Sequence, residues 1–359
     1  MPGQLAQAST TWRQMTPNQE GGFSATSLAT YLDKFSRLVV NVRGGHASPH
    51  KMCMLLAVLD LARSGGLSEN RIYFGPALLE RYATFFNAVC GPGDHPNPYF
   101  PFFHLAGKLR GGVPSFWHLT PLPACESVLA ALTTVRSVND ITSNVAYAVL
   151  DTELFALLQT KVAIETLSES ISQRWFDRGL GDLHSVVARS SEISRYEYQL
   201  RNNAVAVRAR EAAPPAYVRD PAFRRVVTQL YDYRCAATGV RFVLPNGEAM
   251  VEAAHIHPFH EAGDDDPRNG LALTPNIHWA MDRNLIAPGP DRKWHVSTVL
   301  DARVPDYAML LELEGKPMFL PMESRMCPKQ EVLEWRHQRL REPLWTIRTD
   351  SPWVQQTVM

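Results

Sequence analysis

Four polar residues stand at fixed intervals in one short stretch of the chain. Asn269 follows His255 by fourteen positions, His278 follows Asn269 by nine, and Asp282 follows His278 by four. What lies between them dictates a local fold. Val251 to Ile256 has the apolar content of a short strand that ends before Pro258. Gly263-Asp-Asp-Asp-Pro267-Arg-Asn-Gly270 is dense in turn formers, so the chain reverses there. Leu271 to Thr274 reads as the return strand, and Pro275 opens a helix in the turn where proline is tolerated. On that helix a spacing of four sets His278 and Asp282 on one face. A hairpin followed directly by a helix therefore carries all four residues.

These residue types suit one chemistry. An imidazole and a carboxylate, completed by water and a phosphate, make a site for a hard divalent ion such as Mg²⁺ or Mn²⁺. A neutral imidazole with a pKa near ~6.5 can deprotonate water near neutral pH, which is the role open to His255. Asn269 either holds that imidazole or pins the loop. The reaction so described is hydrolysis of a phosphodiester.

The stretch from about Tyr217 to Val299 resembles the HNH endonuclease family, in the branch found in McrA-type restriction enzymes. The resemblance is carried by Asp220-Pro-Ala-Phe223-Arg-Arg, Tyr233-Arg-Cys-Ala-Ala-Thr-Gly239, Ala254-His-Ile and Asn269-Gly-Leu-Ala-Leu. It implies a ββα-metal fold with His255 as general base, Asn269 as the middle asparagine, His278 as the last histidine and Asp282 as a further metal ligand. Two positions depart from the family pattern. Many relatives carry a ligand directly before the base, where this chain has Ala254; Glu252 and His257 are both available to replace it, with Glu252 taken as the third ligand. Many also hold a structural zinc on two cysteine pairs. Here Thr238 follows Cys235 and Thr274 precedes the helix, so no Cys₄ zinc is expected and apolar packing must hold the hairpin. Isolated loop histidines are usually surface residues, the bland reading for His257 and His260.

A second group of motifs lies towards the N-terminus: Arg43-Gly-Gly-His46-Ala-Ser-Pro49-His50-Lys51, Tyr99-Phe100-Pro101-Phe102-Phe103-His104 and Trp117-His-Leu. They are similar to the sulfur-binding domain that precedes HNH units in phosphorothioate-dependent restriction enzymes, over roughly 95 residues. The resemblance implies that Arg43, His46, His50, Lys51, Tyr99, Phe100, Pro101 and Trp117 bind DNA and its sulfur. Sulfur is larger and less hydrated than oxygen, so an aromatic face beside a proline ring accepts it at little desolvation cost, while Arg43, His50 and Lys51 hold flanking phosphates. The competing reading of Tyr99 to Phe103 is plain core. Phe100 stands where the family usually has tyrosine and His46 near a position often held by arginine, changes that bear on base preference.

At 359 residues the chain has room for two or three domains. No apolar run approaches the 18 residues of a membrane span, and the first residues lack the basic start and apolar core of a signal peptide. Five cysteines without paired spacing read as reduced thiols of a cytoplasmic protein. Net charge is zero, but nine arginines stand against four acids between Arg195 and Arg241, a local excess that favours phosphate contacts over a solvated helix face.

The expected architecture is α+β: a leader over 1–25 expected to be disordered, a mainly helical DNA-recognition domain over 26–122, a helical linker over 123–212 and a ββα-metal nuclease domain with a C-terminal extension over 213–359. In the extension Met318–Pro321 reads as a strand and Gln330–Glu342 as a helix packed on the core. The function these features imply is a type IV-like restriction endonuclease acting on phosphorothioated double-stranded DNA, as a homodimer because one site cuts one strand. An HNH nuclease of another defence or mobile-element system, and a catalytically decayed DNA-binding protein, are the alternatives.

Overall fold

A computed structural model describes residues 25–43, 46–91, 93–176, 183–202 and 214–342, and the side chains of Arg43 and His46 fall outside what it describes. The expected leader also lies outside the described residues, apart from Ala25. The fold is α+β, with helices forming most of the framework and four antiparallel two-stranded sheets among the described residues.

The N-terminal unit is built around one helix that is apolar on every side. Helix α1 (Ala25–Ser36) leads to a hairpin of β1 (Val42–Arg43) and β2 (His46–Ala47), and then to α2 (His50–Arg63). In α2 every residue from Met52 to Leu61 is buried, so neighbours must pack all round it. They do: α3 (Pro76–Val89), α4 (Tyr99–His104), and two later helices, α5 (Lys161–Phe176) and α6 (Leu183–Asn202), pack against it. Strand β3 (Trp117–Pro121) pairs with β4 (Val145–Leu150), Trp117 opposite Leu150.

The segment expected as a linker is part of this framework. Strand β4, α5 and the first half of α6 belong to the N-terminal core, which runs from Tyr31 to Val187. The second half of α6 belongs to the C-terminal core, through Ile193, Tyr196 and Leu200. One helix thus threads both cores. Its polar Ser190, Ser191, Ser194 and Glu197 are buried with the apolar residues.

Charge closes the join. Glu197 on α6 meets Arg81 of α3 at 2.5 Å, and Arg225 at 3.1 Å, where Arg225 lies on α7 (Ala216–Leu230). Arg81 also reaches Asp60 of α2 at 3.0 Å. Burial alone would lower the Arg225 pKa, but Glu197, Glu80 and Asp60 outweigh it and raise it. Of the arginine-rich stretch, Arg225 is buried in this join and Arg219 pairs with the buried Asp265, while Arg195 pairs with Glu165, and Arg234 and Arg241 with Asp232, at the surface. The local excess expected to favour phosphate contacts is thus partly met by acids of the chain itself, with Arg195, Arg224 and Arg241 still exposed; Arg208 and Arg210 lie outside the described residues.

The C-terminal unit follows the expected order. Strand β5 (Glu252–His255) pairs antiparallel with β6 (Gly270–Leu273), His255 opposite Gly270, and α8 (Pro275–Asp282) follows at once. A hairpin of β7 (Ile286–Pro288) and β8 (Trp294–Val296) and helix α9 (Gln330–His337) complete it. Cys235 Sγ lies 3.8 Å from Thr274 Oγ1, amid apolar packing by Trp294, Ile277 and Leu271. Met318–Pro321 is not a strand: Met318 N bonds Arg292 O and Phe319 N bonds Ala236 O, on different elements, and the flanking prolines lack donors. Helix α9 ends at His337, short of the expected Glu342. Among the described residues no helix is long and apolar enough to cross a membrane.

Candidate active site

The hairpin and α8 bring the four spaced residues into one region. An open cleft of about 750 Å³ is lined by His255, His278 and Asp282, together with Trp335, Arg336 and Arg339 from the α9 region. His255 ends β5, and its imidazole lies flat on the Phe223 ring of α7, centroids 3.9 Å apart and planes 1° apart. Gly270 makes this possible. A Cβ there would come within 2.8 Å of Phe223 Cζ and 2.6 Å of Val227 Cγ2, so any side chain would push the hairpin off α7.

The His255 ring is held at one nitrogen. Nε2 lies 2.9 Å from Asp265 Oδ1, and Asp265 is buried. An ionised carboxylate only accepts, so Nε2 carries the proton and Nδ1 keeps a lone pair. Among the described residues nothing hydrogen-bonds Nδ1. Asp265 is anchored in turn, since Tyr196 donates its hydroxyl to Oδ2 at 3.3 Å and Arg219 Nη1 reaches Oδ1 at 3.3 Å. Burial, and then the Asp265 charge, raise the Tyr196 pKa, so the phenol stays a donor. Sequence reading took Asp265 only for a turn former; the available signal was three successive aspartates where a turn needs one. Its neighbours serve the loop, Asp264 and Asp266 both pairing with Lys329.

Asn269 pins the loop and does not touch the imidazole. Its side chain accepts from His257 N at 2.8 Å and donates to His257 O at 2.9 Å and Asp264 O at 3.0 Å. It is fully buried, and of the two roles open to it these contacts are those that pin the loop. His257 stacks on Trp335 at 3.8 Å, turned to α9 and not to His278. Burial lowers its pKa, with Arg339 and Arg336 adding to the effect and Glu261 opposing it.

His278 lies between two carboxylates. Nε2 is 3.5 Å from Asp282 Oδ2, and Nδ1 is 3.0 Å from Glu252 Oε2. Glu252 was expected as a ligand beside Asp282, but it meets the opposite ring nitrogen. That is the arrangement in which a carboxylate orients a metal-binding histidine. Among the described residues no group of three or more His, Cys, Asp and Glu forms a metal-holding cluster. One ring nitrogen and one exposed carboxylate in an open cleft nevertheless fit a hard divalent ion that keeps most of its water.

The N-terminal motifs are partly assembled. Helix α2 packs on α4, which brings Lys51 close enough to His104 to lower that imidazole's pKa alongside burial. Burial lowers the Lys51 pKa too. His50 is locked, Nδ1 2.7 Å from Ser48 Oγ and Nε2 2.8 Å from His95 O. Tyr99 and Phe100 are half-buried, and the Phe100 ring sits 4.2 Å from His104. Trp117 is fully buried edge-on to Phe102, which corrects its expected DNA contact: it is core. Pro101 is buried as well, so its ring offers no open face to sulfur. Arg43 and His46 stand opposite each other in the β1–β2 hairpin.

Comparison with known proteins matches residues 235–287 to the HNH endonuclease family, so the C-terminal unit contains an HNH endonuclease domain. A solved structure titled "Modification dependent TagI restriction endonuclease" is similar at 20% identity and a TM-score of 0.29, covering 37% of this chain. This chain spans 42% of that chain's length, less than half. No curated protein matches the chain.

Proposed function

We propose that this chain is a modification-dependent DNA endonuclease in which His255 is the general base and the N-terminal unit selects phosphorothioated duplex DNA. The carrying observation is the His255–Asp265 pair inside the family-matched segment. An imidazole stacked on Phe223 and bonded through Nε2 keeps a proton-accepting Nδ1 beside the helix that bears His278 and Asp282. His255 takes a proton from the attacking water. His278 and Asp282 would hold a divalent ion, Mg²⁺ or Mn²⁺, with Glu252 orienting His278; when bound, the ion stabilises charge on the phosphate and on the leaving oxygen. Asn269 fixes the loop. The intact, anchored pair favours an active enzyme over a decayed one.

The sulfur reading is supported by the meeting of α2 and α4. Lys51 acts on His104, whose ring lies against the half-buried Phe100, a cation and an aromatic face in one place that would suit an anion with one poorly hydrated atom. Arg43, His46 and His50 complete the surface in this reading. Two copies would cut both strands, and such an enzyme would act on DNA in the cytoplasm. The test is cleavage of matched phosphorothioated and unmodified plasmids with Mg²⁺, Mn²⁺ or EDTA, alongside Phe100→Ser. Metal-dependent cleavage of the modified plasmid alone, weakened selectively by Phe100→Ser, is expected. Equal cleavage of both plasmids removes the sulfur reading and leaves a nuclease of another system.

A further inference from the structure

Helix α9 lies beyond the family-matched segment, yet its Trp335 and Arg336, with Arg339 just past its end, line the same cleft as His255. Its attachment is specific. Arg336 is buried and directs its guanidinium inward, Nε to Ile256 O at 2.6 Å and Nη1 to Asn284 Oδ1 at 3.2 Å. Those contacts tie α9 to the end of β5 and to the turn after α8, so the helix keeps its place relative to His255.

The next turn presents a stack. The His257 ring lies on Trp335 at 3.8 Å, and the Arg339 guanidinium lies 3.7 Å from the Trp335 ring centroid. Arg339 Nη1 also donates to Trp335 O at 3.0 Å. Arg339 is exposed, and among the described residues no carboxylate lies within ion-pairing distance of it. Arg219, Arg268 and Arg303 of the same domain are each paired with an aspartate, whereas Arg283, exposed and 4.6 Å over the Trp279 ring, resembles Arg339 but does not line the cleft. A guanidinium held on an aromatic face, with donors to spare, is pre-set for the fork geometry of a phosphate. The cleft also contains Glu261 and Asp282, whose charge would repel a polyanion unless a cation answered it.

We infer that Trp335 and Arg339 form a DNA-backbone subsite, in which Arg339 binds a phosphate flanking the one that is cut. The inference rests on the nuclease reading and extends it to an element outside the matched domain. Arg336 is the positioning residue and Trp335 the platform.

The test is binding of an unmodified duplex by the full-length protein in EDTA, by fluorescence anisotropy across a salt series, for wild type, Arg339→Ala, Arg339→Lys and the control Arg303→Ala. Arg339→Ala should weaken binding roughly three- to tenfold and reduce the salt slope by about one. Arg339→Lys should keep the slope and lose part of the affinity, because lysine retains the charge without the fork. Arg303→Ala should change neither. In cleavage assays Arg339→Ala should raise KM with little change in kcat. An Arg339→Ala protein with wild-type affinity and slope overturns the subsite, even if the wild type cuts DNA. A changed slope in a protein that cuts no DNA under any metal keeps the subsite and removes the nuclease reading instead.

Discussion

Asp265→Asn separates the orientation of the base from its tautomer. The His255 ring has two supports, the Phe223 face at 3.9 Å and Asp265 Oδ1 at 2.9 Å from Nε2. Asparagine leaves the first intact and nearly preserves the shape of the second. It removes the charge that makes Nε2 the proton carrier, because its amide can donate to Nε2 and drive the proton to Nδ1. A base protonated at the working nitrogen forfeits its share of the rate, on the order of 10²–10⁴, or about 3–5 kcal/mol of barrier. The cost to folding should be smaller. Tyr196 and Arg219 would lose a charged acceptor, about 1–3 kcal/mol, but Arg219 keeps Asp220 at 2.6 Å. Single-turnover plasmid nicking at saturating Mn²⁺ measures the rate, with duplex affinity as a control that should not move. Nitrogen-15 spectra of histidine-labelled protein, with His255 identified among the twelve histidines by its loss in His255→Gln, read the tautomer directly. Nicking within a few-fold of wild type, or an unchanged His255 tautomer in Asp265→Asn, would refute the reasoning.

Two further outcomes follow from the site and its loop. His278→Ala and Asp282→Ala should each weaken Mn²⁺ binding in calorimetry and abolish cleavage, while Glu252→Gln should weaken it less, about tenfold; unchanged affinity in the first two contradicts the ligand assignment. At Asp266 burial raises the carboxyl pKa, but hydrogen bonds from Arg268 and Lys329 outweigh it and hold the value below the usual range. A depressed folded pKa gives stability that is present above the unfolded value of ~3.9 and lost as pH falls through the folded value. Asp266→Asn should therefore cost about 1–3 kcal/mol at neutral pH, with the gap to wild type closing in acid; urea melts that show the same gap at pH 7 and near pH 2–3 would contradict this.

The local part of the site was legible because its geometry is local. A turn-rich stretch between two apolar runs, then a proline-led helix, left few ways to place His255, Asn269, His278 and Asp282. What was hidden depended on partners far along the chain. Asp265 became a positioning residue through Tyr196, 69 residues away, and Arg219, 46 residues away. Glu252 and Asp282 look alike as acids, and only the fold shows that they meet opposite nitrogens of His278. Trp117 and Pro101 misled because an aromatic–proline motif serves a core as readily as a pocket. Helix α6 falls in the segment expected as a helical linker, yet its Glu197 is buried because Arg81 and Arg225 neutralise it from two different helices. Charge pairs of that kind leave no periodic trace in a sequence.

The most direct measurement of the central claim is the single-turnover nicking rate of His255→Ala against wild type, on phosphorothioated plasmid with saturating Mn²⁺. His255 accepts a proton and is not assigned to hold DNA. The variant should therefore bind duplex within a few-fold of wild type and nick it slower by on the order of 10²–10⁴, with EDTA silencing wild type. Nicking by His255→Ala at a rate near wild type would contradict the assignment of His255 as the base.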